Sequence, residues 1–465
     1  MRSPEPLRIA RAPLRPLLAK EMREITSGRA LWIMLLLLCP LVGFSFVQAV
    51  RLYGEASAGA QGSPVLARSL SSFDGILVPS FGAFYVGVTL LFPFVAIRAL
   101  GQEKETGALR LLVQMPYPAP VLIGGKLAAI AAAWVMCSVP ALSSLAVWSL
   151  LGGHLAPAET LNLLLGHLLY GLLVGAVALA AAAVTESAAT AAIVALAVTI
   201  GSWVLDFTLA GRPGIFAWIA LASLTQTLHA FEQGVLSAGL VLGIAAAIAG
   251  FAALAAAWLP PGVTLRAKLV RSLACVIATA ALLGAAGQIR LAVDVTEDRR
   301  NSFSRADERL LATLRQPLTV TIHLAPEDPR YVDVQRAVFS KLARALPDLT
   351  TRIAAPHSFA ASGSDERYGE IEYSYGTRRD VSRSTSPREI LPLIYGLAGV
   401  PPPAAAPGDD FPGYPLIADG AAALAWFFAV MPLAIALAWS LVRRPPRIDP
   451  AFTRQSSKEE SHAIQ

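Results

Sequence analysis

Long apolar runs alternate with short polar connections over the first 288 residues of the chain. A run of about 18 or more apolar residues is long enough to cross the hydrocarbon core of a bilayer. It must do so as a helix, because unpaired backbone groups are costly in lipid. One more such run lies near the C-terminus. The pattern predicts eight membrane-spanning helices, over about residues 30–50, 76–97, 121–151, 160–184, 188–208, 235–259, 268–288 and 420–442.

The polar block at 289–419 has a different pattern. Leucines at helical spacing after a suitable N-cap, Ser304, predict a helix over 304–316. Alternating apolar residues over 317–325 predict a half-buried strand. The mixture of helices and strands predicts a small α/β domain, completed by a helix over 331–347, a strand at 349–355 and a hairpin that turns near Gly376.

Composition supports a membrane protein. Only 15% of the residues are charged and the mean hydropathy is +0.56, whereas soluble domains carry about 25% charged residues. The predicted fold class is therefore mainly α: a polytopic helical membrane protein of about eight spans, with a small extracytoplasmic α/β domain between spans seven and eight. Residues 399–415 are predicted to be a Pro-rich linker, and the polar tail 443–465 is typical of a disordered segment.

Basic residues indicate the orientation. Seven Lys and Arg residues precede the first predicted span, and more follow the second, sixth and eighth, while the alternate connections are poorer. By the positive-inside rule, both termini are predicted to be cytoplasmic. The basic net charge then reflects topology, and no nucleic-acid partner is expected. A cleaved signal peptide is the competing interpretation of the N-terminus, although Val47-Gln48-Ala49 is a poor cleavage site.

Acidic residues at predicted span ends allow two interpretations. A charged group at membrane depth suggests a functional site, but one close to a span end can reach the interface instead. The position at the ends favours the second interpretation for Asp74, Glu186 and Asp206.

A charged stretch interrupts the apolar sequence after the second predicted span and reads "RALGQEKETGALRLLVQM" (98–115). A helix that starts at Glu103 would place its acidic residues near the positive end of the helix dipole, and Pro116 would end it. Two interpretations remain open. The stretch is either a short amphipathic helix that lies at the interface or docks a soluble partner, or a solvated loop whose charges anchor two spans.

This region, "EKETGALRLLVQMPYPAPVLIGGKLAA", resembles the cytoplasmic segment of ABC-2 type transporter permeases. In that family the charged stretch is the coupling helix, which seats in a groove of a separate ATPase. The resemblance implies a coupling helix over 101–115. It assigns ATPase coupling to Glu103, Glu105, Gly107, Leu109 and Leu112, and family-motif positions to Pro116, Gly125 and Lys126.

A second likeness is carried by "SLTQTLHAFEQGVLS" (223–237). It is similar to the segment before the last core span in the gliding-motility and copper-accessory branches of the family, with His229, Phe231 and Gly234 in place. The two likenesses imply this division of the chain: a cytoplasmic amphipathic lead-in at 1–29, a six-span permease core at 30–259, and a linker with span seven at 260–288.

The polar block resembles the auxiliary subunit of gliding-motility-type ABC transporters over residues 293–325. The resemblance implies that 289–419 is a shortened auxiliary domain fused to the permease, and that span eight at 420–442 is its second anchoring helix. The matching positions are Asp294, Thr296, Arg299, Ser304, Leu311, Leu314, Pro317 and Val320.

The chain contains no phosphate-binding loop, since Gly124-Gly125-Lys126 lacks the preceding spaced glycine. It is therefore not expected to be an enzyme, and no catalytic residue, metal or cofactor is predicted. The predicted function is that of a transmembrane permease subunit of an ABC transporter in the bacterial inner membrane. It would move an unidentified substrate with ATP hydrolysed by a separate cytoplasmic ATPase subunit.

The expected partners, besides the ATPase and the lipid bilayer, are a second permease, in a homodimer or heterodimer, and an envelope protein that binds 289–419. The alternative function is a membrane-anchored scaffold or sensor whose outer α/β domain binds a ligand or an envelope protein without transport.

Overall fold

The computed structural model describes residues 14–209, 224–289, 291–325, 328–346, 348–354, 367–404 and 411–443. Within these residues, eight helices are long and apolar enough to cross a membrane, which confirms the predicted spans. The first 13 residues of the predicted lead-in, the tail beyond Arg443 and the side chain of Asp206 lie outside the described part. Spans one to eight are Arg29–Gly59, Phe73–Glu105, Ala119–Leu150, Pro157–Val184, Ala188–Leu205, Ala238–Trp258, Leu265–Gly287 and Ala421–Val442.

Span four lies at the centre of the bundle and contacts spans two, three, five and six. Its residues 173–183 are buried without a break, because glycine and alanine let neighbouring helices approach closely. A Cβ on Gly171 would lie 2.1 Å from the ring of Trp134 in span three. Span seven packs on span six, and span eight packs on span one. The last two spans are therefore attached to the bundle at different helices.

The two ends of the bundle differ. At one end, the N-terminal face, the N-terminal helix Leu14–Ser27 packs on spans two and three. It buries Leu17, Glu21 and Ile25, which share one side of the helix at intervals of four residues. At the other end, the domain face, the chain forms the strands β1 (Val235–Ser237) and β2 (Ala292–Asp294), which pair in antiparallel fashion.

The predicted coupling helix 101–115 is wrong as a single element. Span two continues as a helix to Glu105, and a separate short helix, Ala108–Gln114, follows. The break occurs at Gly107, whose φ of 74° is left-handed. Glycine reaches this conformation without the steric penalty of a Cβ. The chain therefore changes direction here, and the second half of the predicted helix forms a separate element that packs against span two.

The sheet domain lies between spans seven and eight, as predicted. Its four strands are β3 (Leu318–Ile322), β4 (Leu349–Ile353), β5 (Ile371–Tyr375) and β6 (Arg378–Ser382), in the order β4-β3-β5-β6. β4 is parallel to β3, and the other two neighbouring pairs are antiparallel. Helices cover the sheet at Arg305–Leu311, 329–345 and Pro387–Ala398.

Several local predictions for this domain are confirmed. Ser304 caps the first helix by accepting a hydrogen bond from the backbone N–H of Asp307, and Gly376 lies in the hairpin turn with φ at 59°. The helix Pro387–Ala398 had not been predicted, and it ends at Gly399 where the predicted linker begins. The described parts of that linker, 400–404 and 411–415, contain no helix or strand.

The sheet domain has its own hydrophobic core, separate from that of the spans. We therefore expect Ile322→Ala, which empties a fully buried position in β3, to destabilise the sheet domain by about 2–5 kcal/mol. Limited proteolysis of the purified protein should then cut faster within 291–404 while the spans stay intact. Thr321→Ala, on the half-buried side of the same strand, is the control. Equal loss of the spans would contradict the separation of the two cores.

Candidate functional site

Three charged side chains are buried together at the N-terminal face. Lys126 Nζ lies 3.0 Å from Glu21 Oε2 and 2.7 Å from Glu103 Oε2. It also donates a hydrogen bond to the carbonyl oxygen of Ala99 at 2.6 Å. Each of the three charged residues is at most 2% exposed. A charge removed from water must be paired, so the three side chains require one another.

These residues come from three different elements. Glu21 belongs to the N-terminal helix, Glu103 to the last turn of span two, and Lys126 to the second turn of span three. On the outer side Lys20 pairs with Glu103 and, at 3.0 Å, with Glu24. We call Lys20, Glu21, Glu24, Glu103 and Lys126 the ion-pair cluster. It fastens the N-terminal helix to two spans.

The electrostatics of the cluster follow from its burial. Burial raises the pKa of the Glu21 carboxyl, and the positive charge of Lys126 partly offsets this effect. Burial disfavours the charged form of Lys20, but its hydrogen bonds to Glu103 and Glu24 outweigh burial and raise its pKa. Three carboxylates lie close enough to hold a metal ion. The two lysines already serve as their counter-ions, and the cluster is therefore best described as structural.

The next residue along span two, Lys104, points to a different neighbour. Its Nζ donates hydrogen bonds to the carbonyl oxygens of Ala182, Ala183 and Thr185, at 2.6, 2.8 and 2.8 Å. The last carbonyl groups of a helix have no partner within the helix, and a cation there complements the negative end of the dipole. Lys104 therefore caps the C-terminal end of span four.

The five residues assigned to ATPase coupling fall into two groups. Glu103 and Leu112 are buried, and Leu109 is half-buried. Glu105 and Gly107 are exposed. Two apolar residues outside the assigned set are exposed instead, Leu111 of the short helix at 66% and Met115, directly after its last residue, at 45%. Their four-residue spacing places them on one side of the helix.

The three motif positions that follow the short helix also differ in their surroundings. Pro116 is exposed between the short helix and span three, and Gly125 is half-buried, where a Cβ would lie 3.5 Å from Leu17 Cδ2. Lys126 belongs to the ion-pair cluster. Both positions within span three thus contact the N-terminal helix: Gly125 packs against Leu17, and Lys126 pairs with Glu21.

The second predicted motif lies at the domain face, partly on the helix Leu224–Glu232. Phe231 is fully buried against Gly166 of span four, and its carbonyl oxygen accepts a hydrogen bond from Asn162 Nδ2 at 3.0 Å. His229 is exposed and lies 2.9 Å from Glu232.

Gly234, the last of the three family positions named in the second motif, lies where only glycine fits. Its φ is 80°, and a Cβ there would lie 2.1 Å from Thr296 Cγ2. Its carbonyl oxygen accepts a hydrogen bond from the backbone N–H of Val295 at 3.0 Å. Gly234 thus contacts the chain where the sheet domain joins the spans.

A second group of charges, which had not been predicted, surrounds Arg300 at this junction. Arg300 pairs with Asp74 at the start of span two, with Asp298 at 3.0 Å and with Glu159 of span four at 3.5 Å. Burial disfavours its charge, but the hydrogen bonds to Asp74 and Asp298 prevail and raise its pKa. Asp74 therefore has a partner in the sheet domain, whereas Glu186 is exposed.

The chain returns from the sheet domain to the same place through Tyr414. Its hydroxyl donates to Glu297 at 2.6 Å, which raises the pKa of Tyr414 to about 12. Its ring stacks on His154 at 3.7 Å between centroids, and His154 Nε2 lies 2.8 Å from Glu297. Both connections of the sheet domain are thus held at one junction. Its charges come from three distant segments of the chain, at Asp74, at 154–159 and at 297–300, so no local sequence signal reveals it.

Residues 15–231 match the family model of the ABC-2 family transporter protein. The match extends from the N-terminal helix to Phe231 and includes the first five spans and the ion-pair cluster. It supports an ABC-2 type permease, the membrane subunit of an ABC transporter, and such subunits are not themselves ATPases. The sheet domain lies outside the match, so its likeness to a gliding-motility auxiliary subunit stays a prediction. The chain matches no curated protein and no solved structure.

We expect Lys126→Met to destabilise the protein by about 3–5 kcal/mol, because it leaves Glu21 and Glu103 buried without their shared counter-ion. A fall in the thermal unfolding midpoint of the purified protein measures this loss. The triple variant that adds Glu21→Gln and Glu103→Gln removes the unpaired charges and should recover part of the midpoint. Glu105→Gln, at an exposed neighbouring position, is the control. An unchanged midpoint for Lys126→Met would show that the cluster does not hold this face together.

Proposed function

We propose that this chain is the permease subunit of an ABC transporter and moves an unidentified substrate with ATP hydrolysed by a separate ATPase subunit. The match over residues 15–231 supports the membrane-subunit role, and does not favour the scaffold or sensor alternative. The observation that carries the ATPase partner is the short helix Ala108–Gln114, which packs on the end of span two and leaves an apolar side exposed.

The proposed docking surface follows from which side chains are free to touch a partner. Leu111 and Met115 are the apolar centre, since burial of exposed apolar area drives protein association. Arg110 lies beside them, and Glu105 and Gly107 lie at the break before the helix. Glu103 and Leu112 are assigned a different role, because both are buried within the protein. Through their contacts within the protein, Glu103 and Leu112 fix the position of the docking surface.

Buried contacts at the N-terminal face connect the short helix to the spans and can transmit its movement. When the ATPase moves the short helix, the ion-pair cluster transmits this movement to the N-terminal helix and span three through Glu103 and Lys126. Lys104 transmits it to span four. Separating buried charges is costly, so these elements are expected to shift together, as packed elements do in switching transitions.

The remaining assignments rest on charge and sequence likeness. We place the N-terminal face in the cytoplasm of a bacterial cell, with the protein in the inner membrane, because basic residues concentrate in the connections on that side. Two permease cores would flank the transport path. The sheet domain is proposed to be the fused auxiliary domain, and an envelope protein its partner.

The docking surface is tested by Leu111→Asp, which places a charge at the apolar centre. The tagged chain, purified from membranes of cells that produce it with its natural ATPase complement, should retain ATP hydrolysis. Leu111→Asp should remove most of this activity while the yield of the chain stays the same. Val65→Asp, at an exposed apolar position in the connection between spans one and two, is the matched control and should retain the activity.

Two outcomes would overturn the proposal. If the wild-type chain retains no ATP hydrolysis above that of an unrelated tagged membrane protein, the ATPase partner is wrong. If Leu111→Asp retains the wild-type activity, the partner docks elsewhere and the short helix is not the coupling surface.

A further inference from the structure

Spans two and four are joined by hydrogen bonds at several heights along their length. Lys104 binds the carbonyl groups at the end of span four, as described above. Near the middle, Thr89 Oγ1 and the Tyr170 hydroxyl lie 2.7 Å apart. Closer to the domain face, His167 Nε2 lies 3.2 Å from the carbonyl oxygen of Phe81. Both helices run from the domain face to the N-terminal face, so these contacts join them side by side.

The link at the domain face is of another kind, because the sheet domain supplies it. Arg300 pairs with Asp74 in the first turn of span two and with Glu159 in the first turn of span four. The backbone N–H of Glu297 donates to the same Glu159 carboxylate at 2.8 Å. Residues of the sheet domain therefore connect the two span ends.

The buried carboxylate of Glu159 requires hydrogen-bond donors, and the sheet domain supplies them. The carboxylate is buried, with 2% of the residue exposed. Within the described residues, its hydrogen bonds come from Glu297 and Arg300, both of which belong to the sheet domain. If the domain moved away, span four would keep a buried carboxylate without these partners, which is costly unless the helix end shifts to reach water. The position of the sheet domain and that of the span ends are thus energetically linked.

We propose that the sheet domain sets the arrangement of spans two and four through Arg300, and that this helix pair carries the state of the sheet domain to the short helix at the opposite face. Two residues, Thr106 and Gly107, separate the end of span two from the short helix, so a shift of the pair reaches the short helix directly. Control of an ATPase by the sheet domain is the functional consequence, and that consequence rests on the function proposed above.

The physical basis is a pair of helices fixed to each other at both ends. The two helices contact each other closely along their lengths, and the hydrogen bonds between them oppose the sliding that packed helices otherwise allow. Arg300 is 22% exposed in its side chain, so it lies at the edge of the junction where the sheet domain can withdraw it. Lys104, at the far end, keeps span four attached to the turn that precedes the short helix.

Hydrogen–deuterium exchange of the full-length protein in lipid nanodiscs tests this coupling without any ATPase. Arg300→Ala should speed amide exchange several-fold at the start of spans two and four, over residues 71–80 and 156–163. It should also speed exchange at the opposite face, over residues 106–116. Arg309→Ala removes the same charge from an exposed position in the same domain and should change neither region.

Two further variants guard against a general loss of folding. Arg300→Lys keeps the charge and should give exchange between the wild-type and Arg300→Ala values at both faces. Thr89→Val removes the contact in the middle of the pair, and in this background Arg300→Ala should have a smaller effect on residues 106–116.

The proposal is overturned if Arg300→Ala speeds exchange at the domain face but leaves residues 106–116 unchanged. It is equally overturned if Arg309→Ala reproduces the effect at the far face. Because the measurement uses the chain alone, either result leaves the ATPase partner untested, and a failed ATPase purification leaves the exchange result valid.

Discussion

The pairing of Lys126 with Glu21 and Glu103 is the interaction on which the N-terminal face depends. Each charge loses its water on burial, at a cost of several kcal/mol, and the opposite charges of the cluster, with the Ala99 carbonyl oxygen at Lys126, compensate for it. The requirement is mutual, so the N-terminal helix, the end of span two and the start of span three must meet at one point. An apolar contact would allow these elements to slide, whereas paired charges fix their register.

The same constraint accounts for the two adjacent charges Glu103 and Lys104 in the last turn of span two. Glu103 faces the ion-pair cluster, and its neighbour Lys104 faces span four. Adjacent positions on a helix point about 100° apart, so two consecutive charges tie one helix end to two different sides of the bundle. Between the two faces, close packing through small residues such as Gly171 and Gly175 takes over this role. Charges hold the ends of the bundle, and small side chains hold its middle.

Sequence patterns predicted what depends on neighbouring residues. The eight spans follow from unbroken apolar runs, and β3 and its hairpin neighbours follow from alternation and from Gly376. The partners of buried charges were not predictable in this way. Glu103 lies 82 residues from Glu21, and helical periodicity does not indicate whether such a residue faces a partner protein or its own chain. The same limit applies to Arg300 and to β1–β2, which is only three residues long on each side.

The boundary at Gly107 shows a different limit. Span two is predicted to end in its apolar run, yet the helix continues through a charged segment to Glu105, where Glu103 and Lys104 both have partners on other elements. Propensity and hydropathy do not report such partners. The glycine that ends the helix is visible in the sequence, but its left-handed conformation is only one of several that glycine adopts.

The strand pair β1–β2 has a consequence for how this chain is assembled. β1 precedes span six and β2 follows span seven, so the pair can close only after both helices have crossed the bilayer and brought their ends together at the domain face. The backbone of Leu291 then accepts a hydrogen bond from Ala238, at the very start of span six. Attachment of the sheet domain is therefore a late step in biogenesis. It depends on correct insertion of the helical hairpin formed by spans six and seven. A gene divided between spans six and seven would place the two strands on separate polypeptides.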